Sequence, residues 1–196
     1  MARIVLNPAI QIISGDVGGF VYRQQDDGSV ILAKQALPDP TRQPTEAQAE
    51  QMQRFKEASA RYRRLMEDGG TQAAYRQIMQ ERGVRAQQLR ALVMGDILGT
   101  PAVDTIDLSQ YQGATGNTIR VLAEDTVGIS RLTLSIYDTT ASQEVENGEK
   151  VITTQIASTV EWLYTATVSV AAEHAIEVRV AAYDLAGNKI ESTTVM

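Results

Sequence analysis

The sequence predicts an α+β protein in two parts: a β-hairpin with a small helical bundle over residues 1–100, and an antiparallel β-sandwich over residues 101–196. Three observations support this division. The apolar period changes from helical to alternating after Gly99-Thr100-Pro101. Gln, Arg, Met and Ala are frequent in the first part, whereas Thr, Val, Ile and Ser are frequent in the second. The first part holds 13 Lys and Arg against 11 Asp and Glu, and the second holds 5 against 13, so the chain's net charge of −6 combines +2 in the first part with −8 in the second.

Composition excludes several classes of chemistry. The chain has no cysteine and one histidine, which excludes disulfides, thiolate metal sites, cysteine nucleophiles and sites that need two histidines. The apolar fraction of 43% and the charged fraction of 21% are those of a globular protein. We expect synthesis in the cytoplasm without a signal peptide, because Asn7, Pro8 and Gln11 interrupt the N-terminal apolar stretch. We also expect no membrane partner.

Residues 2–35 are predicted to form strands. Their clearest element is a hairpin in which FVYRQQ and SVILAK flank a turn at Asp27-Gly28, a dipeptide that tolerates the positive φ of a tight hairpin turn. The preceding strands, ARIVL and IQIIS, pair either with this hairpin or with a neighbouring subunit. Pro38, Pro40 and Pro44 then make a stiff connector.

Three helices are predicted next, over residues 45–68, 71–82 and 84–94. Thr45 and Gln48 fit a capping box at the start of the first helix, Gly69-Gly70 separate it from the second, and Thr71 is the expected cap of the second. One apolar stripe runs along the first helix, formed by Met52, Phe55, Ala58, Tyr62, Leu65 and Met66. Three short helices are marginal by themselves, which predicts that they need a partner.

Seven strands are predicted after residue 101, a number typical of a β-sandwich. They are expected at residues 103–108, 117–123, 130–137, 150–156, 160–170, 175–183 and 189–195. Turn signals separate them, among them Asn147-Gly148 and Gly187-Asn188.

The second part resembles bacterial immunoglobulin-like domains. The similarity lies in NTIRVLAEDTVGISRLTLSIYD, in EWLYTATV, and in IEVRVAAYDLAGNKI, where Ala182, Asp184, Ala186, Gly187 and Asn188 form an A-x-D-x-A-G-N turn. The segment AEDTVGIS looks like a second turn of this kind. The resemblance implies an immunoglobulin-like antiparallel β-sandwich, a fold that serves adhesion, spacing and assembly.

The first part is similar to small proteins of phage and bacterial genomes. Such proteins carry a G-x-x-G-x-x-V-Y hairpin, a proline-rich connector and a T-x-A-Q helix. The matching residues here are Gly15, Gly18, Val21 and Tyr22, then Pro38 to Pro44, then Thr45, Ala47 and Gln48. This similarity favours a structural protein of a virion or an injection machine.

The leading hypothesis is a non-enzymatic structural subunit that assembles with itself or with other proteins of one particle: a filament, tube, shell or phage-like particle. The immunoglobulin-like domain would face outward. The residues expected at assembly contacts are Ile4, Leu6, Ile10, Ile12, Phe20, Tyr22, Met52, Phe55, Tyr62 and Met66.

Two alternatives remain open. In the first, the sandwich is a binding module for carbohydrate or protein, with Trp162, Tyr164 and Tyr183 as aromatic candidates. In the second, the protein contacts nucleic acid through basic helices, although acidic neighbours favour ion pairs instead. The same arginines would equally dock on the acidic half of another subunit. They are Arg54, Arg61, Arg64, Arg76, Arg85 and Arg90.

Other polar residues offer weaker candidates. Asp125, Asp138 and Asp184 sit at strand ends and could gather to bind calcium, although aspartates in turns usually accept main-chain amides. His174 is expected at the surface, and Glu144 and Glu146 are expected to be solvated. No cofactor and no small-molecule substrate is predicted.

Overall fold

The computed structural model describes residues 2–4, 15–17, 19–25, 29–35, 43–153 and 156–196. The fold is α+β and divides into two compact units, Met1–Thr45 and Glu46–Met196. The sequence places its boundary near residue 100, whereas in the structure the helices share a unit with all the strands that follow them. Side chains buried between the helices and those strands account for the difference.

The first unit is a four-stranded antiparallel sheet in the order β1-β4-β3-β2. Its strands are β1 (Ala2–Ile4), β2 (Gly15–Val17), β3 (Phe20–Gln24) and β4 (Val30–Lys34). The predicted hairpin is β3–β4, and its Asp27-Gly28 turn lies outside the described residues. Ala2 pairs with Leu32, so the first strand joins the hairpin of its own chain.

Three helices open the second unit. They are α1 (Glu46–Glu67), α2 (Gly69–Glu81) and α3 (Leu89–Leu98). Gly69 begins α2 rather than lying between helices, because Asp68 caps it by accepting the Thr71 amide at 2.7 Å. The expected cap, Thr71, is therefore inside the first turn. The third helix begins later than predicted, because extended backbone at Arg85 and a 3-10 turn at Ala86–Gln88 precede it. No helix in the described part of the chain is long and apolar enough to cross a membrane.

Seven strands form two antiparallel sheets, in the orders β5-β6-β9 and β11-β10-β7-β8. The strands are β5 (Ala102–Asp107), β6 (Thr118–Glu124), β7 (Ile129–Asp138), β8 (Gln143–Val151), β9 (Thr159–Thr165), β10 (Ile176–Asp184) and β11 (Lys189–Val195). Both sheets contribute to one hydrophobic core, because alternate side chains of β6, β7, β9 and β10 point inward. Its largest aliphatic members include Ile119, Val121, Leu132, Leu134, Ile136 and Ile176.

The predicted turn at Asn147-Gly148 is wrong. Both residues lie inside β8, where Gly148 pairs with Leu134 of β7. The chain reverses instead just before β8, where Ser142 has a φ of 54°. Gly148 serves packing there: a Cβ atom at this position would lie 2.3 Å from Cε2 of Tyr164. The missing side chain lets the Tyr164 ring lie against the strand.

A second apolar cluster joins the three helices to the β-strand region. Ala58 of α1, Tyr75 of α2 and Ile97 of α3 are buried together with Val127 and Ala186, which belong to two interstrand turns. The helical bundle therefore finds a packing partner within its own chain. This finding weakens the argument that the bundle needs another subunit to fold.

Replacing Gly148 with alanine should destabilise the protein by about 1–3 kcal/mol, because the new methyl group must displace the Tyr164 ring. Replacing glycine with alanine in a strand interior ordinarily stabilises a protein by about 0.5–1 kcal/mol. A loss of stability in this variant would therefore indicate the clash with the Tyr164 ring. Urea unfolding measures the change. The matched control is Gly69→Ala, since no atom lies within 4 Å of a Cβ there. Equal stability of G148A and the wild type would contradict this packing.

Candidate functional site

The A-x-D-x-A-G-N turn places Asn188 at the junction of strands and helices. Asp184 ends β10, and Gly187 takes a φ of 84°, which favours glycine. The Asn188 amide then donates to Asp184 Oδ1 at 2.7 Å, and the Asn188 side chain donates to Asp184 Oδ2 at 2.7 Å. The turn is therefore closed by its own aspartate and asparagine.

The Asn188 side chain also binds two helices. Its Nδ2 donates to the main-chain oxygens of Asp96 at 2.8 Å and Gly99 at 3.1 Å, which end α3. Its Oδ1 accepts from Arg61 Nη1 of α1 at 2.7 Å, and Arg61 Nη2 donates to the Ala186 oxygen at 2.6 Å. One side chain thus bonds two main-chain oxygens at the C-terminal end of α3 and connects α1 to the turn.

The second turn, AEDTVGIS, lies beneath the same helices. Asp125 Oδ2 accepts the amides of Val127 at 2.7 Å and Gly128 at 2.8 Å. Arg82, which follows α2, donates to the main-chain oxygens of Thr126 at 2.8 Å and of Val127. Both turns therefore contact the helices through arginine and main-chain oxygens.

Three carboxylates meet at this junction: Asp96, Asp125 and Asp184. One oxygen from each lies within 4.8 Å of the others, and all three residues are buried. The Tyr75 hydroxyl donates to Asp96 Oδ2, whereas Asp96 Oδ1 has no hydrogen-bond partner and Asp96 is only 1% exposed. We refer to these three residues as the aspartate cluster.

Burial governs the electrostatics of the aspartate cluster. It raises the pKa of Asp96 to about 7, although the hydrogen bond from Tyr75 acts in the opposite direction. Burial also raises the pKa of Asp184, and burial followed by the bond to Asp96 raises the pKa of Tyr75. The ionised cluster is therefore costly unless positive charge compensates it.

The structure brings together two of the three aspartates predicted as calcium candidates, Asp125 and Asp184. Asp138 lies apart from them, at the other end of β7 and about 30 Å along the strand. The sequence prediction missed Asp96. Its signal is the single acidic residue in the apolar helical segment LVMGDIL, a position where burial of the carboxylate could have been expected.

Asp138 pairs instead with the one histidine of the chain. His174 Nδ1 lies 2.6 Å from Asp138 Oδ2, and Asp138 Oδ1 accepts the Ala141 amide at 2.9 Å. The His174 hydrogen bond, followed by that from Ala141, lowers the pKa of Asp138. His174 is half-buried, so it contacts solvent as predicted while holding the end of β7 to the segment that precedes β10.

The expected assembly residues divide into four groups. Met52 (65%), Phe55 (47%) and Phe20 are exposed. Tyr62 and Met66 are half-buried against the cluster between the helices and the strands, and Tyr22 is half-buried in the first unit. Ile4 lies in β1. The remaining three lie outside the described residues: Leu6, Ile10 and Ile12.

The candidate arginines also differ in their surroundings. Arg61 is half-buried and engaged at the junction, and Arg90 lies 5.6 Å from the centre of the Tyr62 ring. All except Arg61 are exposed, namely Arg54, Arg64, Arg76, Arg85 and Arg90.

The aromatic and acidic candidates of the β-strand region contact other parts of the chain. Trp162 is buried and meets Tyr164 edge to face, with ring centres 5.4 Å apart, and Tyr183 lies under Arg131. The prediction of a solvated Glu146 is wrong: its carboxylate accepts from the Tyr164 hydroxyl at 2.7 Å and from the Thr167 amide at 2.9 Å. Burial raises the pKa of Glu146, but these hydrogen bonds outweigh it and the net shift is downward.

No protein-family model, no curated protein and no solved structure matches this chain.

Replacing Asn188 with alanine should cost about 3 kcal/mol of unfolding free energy, because the Asp96 and Gly99 oxygens and the Arg61 guanidinium each lose one hydrogen bond. Urea unfolding followed by circular dichroism gives the value. Asn147→Ala is the matched control, because the only hydrogen bond of that exposed side chain described here is to Glu144. Similar losses in the two variants would argue against a central role for Asn188.

Acid should weaken the link between Asp138 and His174. Because the folded-state pKa of Asp138 lies below its unfolded value, the stabilisation is present above about pH 4 and is lost as the pH falls through the folded pKa. The stability difference between the wild type and H174A should therefore shrink between about pH 5 and about pH 2.5. Urea midpoints at both pH values test this, with Glu173→Ala as the exposed control. A difference that grows on acidification would refute the assignment.

Proposed function

We propose that the protein is a non-enzymatic structural subunit that self-associates, and that the first half of α1 contacts a second copy. One observation carries this proposal. Every residue from 46 to 57 of α1 is exposed, although Met52 and Phe55 lie in this stretch. The first buried side chain of the helix is Ala58.

An exposed half-helix of this kind lacks the tertiary contacts that normally stabilise a helix. Twelve helical residues extend about 18 Å, and a helix of that length without tertiary packing is marginal in water. Met52 and Phe55 are three residues apart, so they lie on one face. That face continues into Tyr62 and Met66, which do pack within the chain. The stripe predicted from the sequence is thus partnered along its second half only.

Charge favours a second copy as the partner. Residues 101–196 hold 5 Lys and Arg against 13 Asp and Glu. Arg54, Lys56 and Arg64 are exposed on α1. Acidic side chains alternate with these three on α1, so attraction between the individual basic side chains of one copy and the acidic strand region of another would help select register. Apolar contact through Met52 and Phe55 would then hold the pair.

The arrangement of strands supports the finer fold proposal. If β5 to β11 are lettered A, B, C, C′, E, F and G, the sheets read A-B-E and G-F-C-C′. Immunoglobulin-like domains share the A-B-E and G-F-C arrangement. We therefore propose an immunoglobulin-like domain in a repeating subunit of a filament, tube, shell or phage-like particle.

The alternative binding functions receive less support from the described residues. The aromatic candidates for a carbohydrate site, Trp162 and Tyr164, contribute to the hydrophobic core. Of the candidate arginines, Arg61 is committed to Asn188 and Ala186. The remaining exposed arginines are equally suited to contact an acidic protein surface.

The double substitution Met52→Glu with Phe55→Glu should convert assemblies to smaller species, because two buried carboxylates would oppose contact. Light scattering after size exclusion gives the mass, and negative-stain images of the same fractions show any regular particle. Gln51→Glu with Gln53→Glu is the control, since it adds the same charge to exposed polar positions of the same turns. A wild-type monomer of 21.4 kDa, or equal masses for both double variants, would refute the proposal.

A further inference from the structure

We propose that Asp96, Asp125 and Asp184 bind one Ca²⁺ ion, which joins α3 to the two immunoglobulin-like turns. This proposal is independent of self-association, because it concerns the interior of the second unit of one chain. It rests on the spacing of the three carboxylates, on their burial and on one oxygen without a partner.

The spacing suits a shared ion. One oxygen from each aspartate lies within 4.8 Å of the other two. Calcium binds oxygen at 2.3–2.6 Å, so ligands on opposite sides of the ion are about 4.6–5.2 Å apart. A single calcium can therefore touch all three carboxylates with little movement of the chain.

The charge of the cluster needs compensation. Within the described part of the chain, no lysine or arginine forms an ion pair with any of the three aspartates. Arg61 approaches the junction, but its hydrogen bonds go to Asn188 and Ala186. Buried carboxylates without a counter-charge are strongly unfavourable, and a bound divalent cation would remove that cost.

The free oxygen of Asp96 is the second and separate observation. Tyr75 occupies Oδ2, so Oδ1 remains as a buried acceptor without a hydrogen bond. Buried polar atoms of proteins are nearly always bonded, and an unsatisfied one calls for a ligand. Asp125 and Asp184 differ from Asp96, since turn amides already hold their carboxylates in place. Those hydrogen bonds would preorganise the two residues for an ion.

The donor set selects the kind of cation. It offers carboxylate oxygens with neither histidine nor cysteine, which favours hard cations over zinc or copper. Magnesium requires near-ideal octahedral geometry at 2.0–2.1 Å and usually keeps several waters. Calcium accepts irregular sets of about six to eight oxygens, to which main-chain oxygens or water would add the ligands beyond the carboxylates.

The test titrates CaCl₂ into the full chain after treatment with EDTA and removal of the chelator. Isothermal calorimetry should give one site per chain, and the melting temperature should rise with calcium because the ion binds only the folded state. Terbium provides a second readout. Tyr75 bonds directly to Asp96, so excitation of tyrosine should sensitise luminescence of a Tb³⁺ ion at the site, and CaCl₂ should quench it by displacement.

Asp96→Asn is the informative variant, because asparagine keeps an acceptor for Tyr75 while removing the charge. We expect it to weaken calcium binding at least about tenfold. Asp184→Asn is a second variant should D96N fail to fold. Asp138→Asn is the control, because it changes a strand-end aspartate that lies outside the cluster and should leave calcium binding unchanged.

Three outcomes would overturn the proposal. The first is a wild-type chain with no heat, no terbium signal and no thermal shift with calcium, which would mean that a proton neutralises the cluster. The second is unchanged calcium binding in both D96N and D184N, which would place the ion elsewhere. The third is tighter binding of MgCl₂ than of CaCl₂, which would reject the assignment of the cation.

Discussion

Polar groups buried between the helices and the strands need partners, and the side chain of Asn188 bonds groups on α1, on α3 and in its own turn. It closes its own turn through Asp184, accepts from Arg61 of α1, and donates to the Asp96 oxygen near the end of α3. A helix end without such partners would leave main-chain oxygens unsatisfied in an apolar setting. One amide therefore links two helices to the β-strand region. Apolar packing around Tyr75 and Val127 buries surface but constrains the orientation of the helices only weakly. The hydrogen bonds of Asn188 fix which residues of the helices face the turn.

This junction divides α1 into two halves with different roles. Arg61 and the residues after Ala58 hold its second half to the unit. Within the described part of the second unit, the first half stays exposed, including Met52 and Phe55. Because one end of the helix is anchored and the other exposes Met52 and Phe55, we favour self-association over a role in which the helices merely support the strands.

The junction also concentrates negative charge where water is scarce. Asp125 and Asp184 are needed to close their turns, so neither could be removed without losing main-chain hydrogen bonds. Asp96 belongs to α3 rather than to a turn, and it places a third carboxylate beside them. An ion shared by all three would offset the electrostatic cost of burying these carboxylates and would join α3 to both turns. It would also stabilise a unit whose helices contribute only a small apolar cluster.

Local patterns in the sequence determined a large part of this protein. The stripe from Met52 to Met66 predicts α1, alternation predicts most strands, and the A-x-D-x-A-G-N motif predicts a turn whose aspartate, Asp184, accepts main-chain amides. These features depend on residues close in the chain, whose periodicity and turn chemistry act without distant partners. Contacts between distant residues decided the rest. Asp96 and Asn188 are 92 positions apart, and Gly148 stays in a strand rather than a turn because the Tyr164 ring rests on it. The shared unit of helices and strands, and the third aspartate of the cluster, arise only when such residues pack together, because burial and its electrostatic cost exist only in the folded chain.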